Sequence, residues 1–581
     1  MKHTINIEPV PSPDEIYIQL SNKENTKEVI LKGQKTETEL DFKPTKLIIQ
    51  RKVSIIKRIT RSFYCKYVDI SSAEGGSESV FYFPIFRSIS AAGMTIEEKS
   101  GKRNGNLFSA QKWLRRLRNF GCQWKQVEDI KRVFLFPSTK ADYISKHWDD
   151  DKFFARLFLD GCNPIMIKRC TELPQKIPVK ELKAACPDIE ELVRKGDIYI
   201  VDYELLDKIK EGAINGKQQY LAAPIVLLQE EEDGLTPIAI QLKQDPGDDN
   251  PVFTPHDKLA WLLAKIWVRN SDFYLHELVS HLLRTHLLAE VFFLFIYRSL
   301  NSKHPILMLF MATGRYTLPI NVTARSTLIS NTGFFMKYTG LGKDAQKVML
   351  EKANKQVTFE SLCLPDNLKS RGLMELKNFC YRDDGLAIWN AIYEFLSSVV
   401  DHYYKDDEHL CKDEDLMRLF EDIYNRGFEK KLDFPAEVKT KEEAVKYLTM
   451  IMFTCSAQHA AVNHGQYDIY AWMPNGPTTM RQPPPKYKEV VDDQYIMNTL
   501  PDLHTTLESM SVSRFLSQVP TDFIPLGQYD SDTTNEPNLR EQIKTFQSKL
   551  KKIGEDINKR EKEIFSYTYL HPDNMENSVA I

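Results

Sequence analysis

Cysteine is scarce and unpatterned: nine in 581 residues, an odd number, never spaced C-x-x-C. That argues against a disulfide framework and a thiolate zinc site, and it suits reduced thiols in a cytosolic protein. The opening MKHTINIEPVPSPDE has no apolar stretch of the secretory-signal kind. No uninterrupted apolar run reaches the roughly 20 residues that span a bilayer as a helix. The longest, Leu287 to Tyr297, is broken by Glu290 and reads as a buried core helix. No tryptophan precedes Trp113, and no acidic cluster of the calcium-loop type stands out.

What is present is an ordinary globular composition, 42% hydrophobic and 27% charged, in a chain long enough to bury a very large core. The net charge of -3 hides a polarity: residues 1–140 carry 25 Lys+Arg against 15 Asp+Glu. A basic front end of this sort suits an anionic membrane surface, and scattered solvated lysines give the same count. The expected reach is peripheral membrane association, with no nucleic-acid partner and no obligate protein partner.

The first ninety or so residues alternate in the strand manner (EIYIQL, EVILKG, KLIIQRKV, YCKYVDI, ESVFYFPIF) between polar and glycine clusters. Helical spacing appears in the basic run AQKWLRRLR and dominates from Trp148 onward. The predicted architecture is mainly α: a small β-sandwich over 1–95, a basic connecting segment over 96–147 and one large helical domain over 148–581.

Chemistry concentrates in SDFYLHELVSHLLRTHLLAEVFF, where His276, His281 and His286 recur at intervals of five amid leucines. On a regular α-helix a five-residue step turns about 140°, so His281 and His286 face apart. A π-turn, closing i to i+5, brings them to one side and is a frequent feature of functional sites. The competing reading is three unrelated core histidines. Farther on, His459 and Asn463 in FTCSAQHAAVNHGQYD lie four apart, about 40° around an α-helix, as two ligands on one face would. Neutral imidazoles with an amide or carboxylate oxygen suit a redox-cycling iron, and tetrahedral zinc stays open as the alternative.

Taken together, WLLAKIWVRNSDFYLHELVSHLLRTHLLAEVF, NPVF, RCTELP, YLAAPI, FCYRDDGLAIW, CSAQHAAVNHGQYD, PPPK and ENSVAI resemble an animal-type lipoxygenase of the arachidonate family, from about Gly161 to Ile581. The resemblance implies one non-heme iron held by His281, His286, His459, Asn463 and the main-chain carboxylate of Ile581, with Glu277 and Gln466 behind the ligands. It implies hydrogen abstraction by an iron-bound hydroxide from the bis-allylic carbon of a cis,cis-1,4-pentadiene, then O2 addition, with no separate protein acid or base. Apolar Val579, Ala580 and Ile581 after the polar HPDNMENS fit a buried tail.

By the same resemblance Leu282, Leu287, Leu328 and Leu516 line the substrate and oxygen channel, and Phe273, Tyr338 and Thr339 set the depth of the fatty-acid pocket. Ala324 matches a position where alanine accompanies S products and glycine R products. Thr323 departs from the Arg or Lys of several relatives, which favours tail-first entry of the substrate. The N-terminal strands resemble the family's lipid-docking PLAT/C2-like sandwich in shortened form, and calcium is implied there without a clear site. The activity expected is an S-dioxygenase for arachidonate or linoleate. A hydroperoxide isomerase on the same iron, or a catalytically silent lipid-binding relative, are the alternatives.

Overall fold

The computed structural model describes nine backbone strands between Lys2 and Lys102 and most residues from Trp124 to Ala580, leaving out 132, 135–136, 432, 521, 531–532, 534–535, 538 and 561–564. The chain divides into two compact units, Met1–Gly121 and Cys122–Ile581. The boundary falls inside the segment read from sequence as a connector. Its beginning supplies the strands Ile96–Lys99 and Gly101–Lys102 to the first unit, and its end supplies the helix Thr139–His147 to the second. The basic run Ala110–Arg118 lies outside the described residues.

The first unit consists of two antiparallel sheets, the strand content expected of a small β-sandwich. One orders Lys35–Glu39, Lys2–Glu8, Phe63–Glu74, Ser77–Ile89 and Gly101–Lys102; the other orders Thr26–Leu31, Ile16–Ser21, Lys46–Arg51 and Ile96–Lys99. In register, Ile5 pairs with Ile70 and Ile18 with Ile49.

The second unit is mainly helical, with one feature the helical reading passed over: an antiparallel sheet of Lys168–Arg169, Ile198–Asp202, Ile225–Glu231, Gly234–Gln241 and Val252–Phe253. Its central strands IYIVD and IVLLQEE each open with four buried apolar residues in a row because both faces are covered there, so they show no alternation. Ile198, Ile200, Ile225, Leu227 and Ala239 form a buried cluster with Ile189 and Leu182 of the adjoining helices.

Three consecutive segments, Leu259–Tyr274 in α form, Leu275–Leu287 in π form and Leu288–Ser299 in α form, make one helix of 41 residues. By length and composition it is apolar enough to cross a membrane, yet 72% of its most apolar window is buried within the protein. It therefore reads as the spine of the core, as Leu287 to Tyr297 suggested.

Polar side chains hold the spine in register. Asn163 Nδ2 and Tyr203 Oη each donate to Asp272 Oδ1 at 2.9 Å, and Ser280 Oγ donates to Asn163 Oδ1 at 2.6 Å. Burial and the nearby Asp272 push the Tyr203 hydroxyl well above its ordinary pKa, so it stays a donor. Farther out, Cys380–Tyr403 packs on Arg540–Arg560 through Phe395 and Phe546, stacked at 4.6 Å.

Candidate metal centre

The π segment does what the five-residue spacing demands. Because its ladder closes i to i+5, the rings of His281 and His286 turn to one side of the spine, with Nε2 atoms 3.1 Å apart. A second π-turn at this site, Thr454–Gln458, precedes His459 and was not anticipated from sequence; His459 then opens the short helix His459–Asn463. His459 Nε2 comes within 3.4 Å of His281 Nε2. The ligand atoms of the three histidines all lie within 4.8 Å of one another, and the residues are only 5%, 4% and 2% exposed in chain order.

The hydrogen bonds on the far side of two rings show what those nitrogens are. His281 Nδ1 faces Glu277 Oε2 at 3.4 Å, and a carboxylate only accepts, so the ring proton sits on Nδ1. His286 Nδ1 lies 2.9 Å from Asn321 Oδ1, again an acceptor. In the neutral rings neither Nε2 therefore carries a proton, and the two nitrogens lie 3.1 Å apart in a buried interior. Such a contact is repulsive unless a positive charge lies between the nitrogens. A proton there makes a buried imidazolium, whereas a divalent cation satisfies all three nitrogens together. The donor set fits a borderline first-row metal ion.

Glu277 is buried, which alone would raise its carboxyl. His276 and His281 outweigh that burial and bring it down to about 2. His276 is not in the cluster: its Nε2 lies 2.6 Å from the main-chain oxygen of Val462. His304 also lies elsewhere, bonded to Asp413 at 3.1 Å and capping the helix Pro305–Thr313. Asn463, 5% exposed, accepts from Gln466 Nε2 at 2.6 Å through Oδ1. Ile581 lies outside the described residues; Val579 and Ala580 before it are buried.

Of the pocket residues expected from the resemblance, Phe273, Leu328, Tyr338 and Thr339 are linked through Phe335. Phe273, buried, meets Tyr470 edge-on at 5.3 Å and Phe335 at 6.4 Å. Phe335 belongs to the short helix Phe334–Tyr338, whose Tyr338 is half-buried against His504. Thr339 follows, donating to the oxygen of Phe335 at 2.5 Å. Phe335 N in turn donates to the oxygen of Leu328 at 3.1 Å, tying this helix to Thr317–Thr327, which carries buried Ala324. Leu282 is buried beside His281, and Leu516 is buried at the end of Leu503–Leu516. Leu287 stands apart from these, on a cavity of about 540 Å³ walled by Leu283, Leu288, Val291, Ile329 and Leu350. Thr323 is exposed, its hydroxyl turned back to the oxygen of Pro319 at 3.2 Å.

Sequence reasoning missed Asn321, Glu290 and Arg325, which surround His286 from behind. Nothing in a single chain marks an asparagine 35 residues downstream as the partner of a histidine. The only signal was its place one turn before Ala324 on a helix already of interest.

These features, a histidine-lined π-helix in a large helical unit and three converging imidazoles able to hold a metal ion, define an enzyme of the lipoxygenase class. The lipoxygenase family profile matches residues 77–567, and the chain belongs to that family, a family of fatty-acid dioxygenases. It is 40% identical over 470 residues, 79% of this chain and 70% of the relative, to the polyunsaturated fatty acid lipoxygenase ALOX15B of Homo sapiens. It is 41% identical over 471 residues, 79% of this chain and 66% of the relative, to the hydroperoxide isomerase ALOXE3 of Rattus norvegicus. Among solved structures it is similar to a calcium-dependent 11R-lipoxygenase (TM-score 0.75, 25% identity, all of both chains covered). It is likewise similar to a lipoxygenase crystallised anaerobically with arachidonate (TM-score 0.76, 26% identity, all of both chains covered).

Proposed function

We propose that His281, His286 and His459, with Asn463 beside them, hold one non-heme iron, and that the protein adds O2 to polyunsaturated fatty acids of the arachidonate or linoleate class to give S-hydroperoxides. The observation that carries this is the convergence of three imidazoles whose ligand atoms all lie within 4.8 Å of one another, two of the rings having their Nδ1 committed as a donor. When bound, iron supplies the one-electron oxidation that removes a hydrogen from the pentadiene. The chain's own residues do the rest. Glu277 and Asn321 fix the imidazole tautomers, and the buried surroundings exclude water from a radical. Phe273, Phe335, Tyr338 and Thr339 limit how far a fatty acid reaches, which selects the carbon presented.

A second reading has its own support, since ALOXE3, a hydroperoxide isomerase, is as similar to this chain as ALOX15B is. Oxygen uptake by the iron-loaded protein separates the two. Consumption of O2 with arachidonate or linoleate alone supports the dioxygenase. Turnover only of an added fatty-acid hydroperoxide, without O2 uptake, supports the isomerase. Native protein carrying stoichiometric zinc and no iron overturns both.

A further inference from the structure

Asn321, only 1% exposed, admits one orientation of its amide. Its Nδ2 faces two groups that only accept: the main-chain oxygen of His286 at 2.8 Å and Glu290 Oε2 at 2.7 Å. Turning the amide over would set oxygen against two oxygens in a dry site, losing both bonds and replacing them with repulsion. The nitrogen therefore stays on that side and Oδ1 faces His286 Nδ1 at 2.9 Å. The ring must supply the proton.

Glu290 is itself fixed. It lies one turn beyond His286 on the spine, and Arg325 Nη2 reaches the same Oε2 at 2.7 Å. Arg325 and Asn321 lie four residues apart on the helix Thr317–Thr327, so two side chains of one helix clasp a single carboxylate of another.

We infer that Asn321 is a positioning residue for His286: anchored by Glu290, it selects the tautomer with hydrogen on Nδ1, so that the unprotonated Nε2 is the nitrogen aimed at His281 and His459. This rests on reading the three nitrogens as a metal site. A purely structural asparagine would need only the bond from Nδ2 to the His286 carbonyl. The bond from the ring to Oδ1 adds nothing to helix packing that an apolar contact would not, but it decides which ring nitrogen can ligate.

The test uses the full chain, stripped of metal and titrated with Fe2+ or Co2+ against a chelator, with the visible bands of bound Co2+ and the thermal unfolding of the metal-free protein recorded alongside. Asn321→Leu keeps the volume and removes the acceptor. It is expected to weaken Co2+ about 10- to 100-fold and to alter the Co2+ spectrum. Asn321→Asp is near-isosteric and keeps both roles: protonated on the oxygen that faces the His286 carbonyl and Glu290, the carboxyl donates there as the amide did, and its other oxygen still accepts from His286 Nδ1. That variant is expected to recover the wild-type spectrum and most of the affinity, which a packing role does not require.

Wild-type affinity and spectrum in Asn321→Leu overturn the proposal. So does a folded Asn321→Asp that binds Co2+ as poorly as Asn321→Leu, and because its side chain is near-isosteric with the wild type it decides the matter even where Asn321→Leu fails to fold. Wild-type protein that takes up neither ion overturns the metal-centre reading itself, and the proposal with it.

Discussion

Asn321 and Ala324 stand three residues apart on one helix: the first touches the Nδ1 edge of His286, and the second is the buried methyl at the position matched to stereocontrol. The group that orients a ligand and the group expected to choose the face of oxygen addition therefore belong to one rigid turn. A substitution that shifts this helix is expected to alter metal binding and product chirality together, whereas one that only removes a methyl should alter chirality alone.

Ala324→Gly is the substitution of the second kind. It opens space beside the substrate without touching Asn321, at a helix cost of about 1 kcal/mol. Chiral chromatography of the reduced products is expected to show mainly S alcohol from the wild type and a share of R alcohol at a shifted carbon from the variant, with iron content unchanged. Mainly R product from the wild type would refute the assignment.

His281→Ala and His459→Ala are expected to lose metal and oxygen uptake together, because each leaves two nitrogens where three converge. Removing the metal from the wild type should also lower its melting temperature, since an ion bound only by the native state contributes about 4 kcal/mol at a thousandfold excess over Kd. Elemental analysis and a thermal scan with and without chelator check both. A His459→Ala variant that keeps full iron would exclude His459 as a ligand.

How much of this was legible in the sequence varies with the range of the interaction. The need for a π-turn at His281 and His286 follows from two residue numbers and the pitch of a helix, and the spine has its π segment there. The second π-turn at Thr454–Gln458 left no such trace, since the four-residue step from His459 to Asn463 fits an α-helix without it. The sheet around Ile198–Asp202 and Ile225–Glu231 was hidden because strands buried on both faces lose their alternation. Asn321 was hidden because its meaning lies in a contact across 35 residues, set by how two helices cross.

Asp160 gives a pH-dependent test of stability away from the metal. Burial raises its carboxyl to about 6, against the partial opposition of Arg156 and the main-chain N–H of Cys380. Because the folded value lies above the unfolded one, near 3.8, the protonated form is the one the fold prefers. The stability it contributes is complete below about pH 4 and is lost as pH rises through about 6. Asp160→Asn, whose amide oxygen still accepts from Cys380 N, should therefore exceed the wild type in stability at pH 7.5 by on the order of 1–3 kcal/mol and lose that advantage near pH 4. Urea unfolding at the two pH values checks it, and an equal difference at both would contradict it.

Gly333 offers the sharpest separation of pocket from metal. It precedes the helix Phe334–Tyr338, in an extended backbone conformation open to any residue (φ -79°, ψ 178°), so conformation does not require glycine there. Space does: a β-carbon at this position would lie 2.4 Å from the main-chain oxygen of Leu328 and 3.0 Å from that of Thr327. Neither neighbour is a flexible side-chain end, so Gly333→Ala has to push the Phe334–Tyr338 helix away from the end of Thr317–Thr327. That movement strains the bond from Phe335 N to Leu328 O, 3.1 Å long, and with it the contact of Phe335 against Phe273 at 6.4 Å. A shift of this kind in a packed region costs about 1–3 kcal/mol. The three histidines lie on other elements and are not touched. Iron content is therefore expected to hold at the wild-type level while kcat/KM for arachidonate falls and the position of oxygenation broadens, because the walls that fix the reach of the chain have moved. Wild-type kcat/KM and a single unchanged product in Gly333→Ala would show that the Phe273, Phe335 and Tyr338 group does not bound the fatty-acid site.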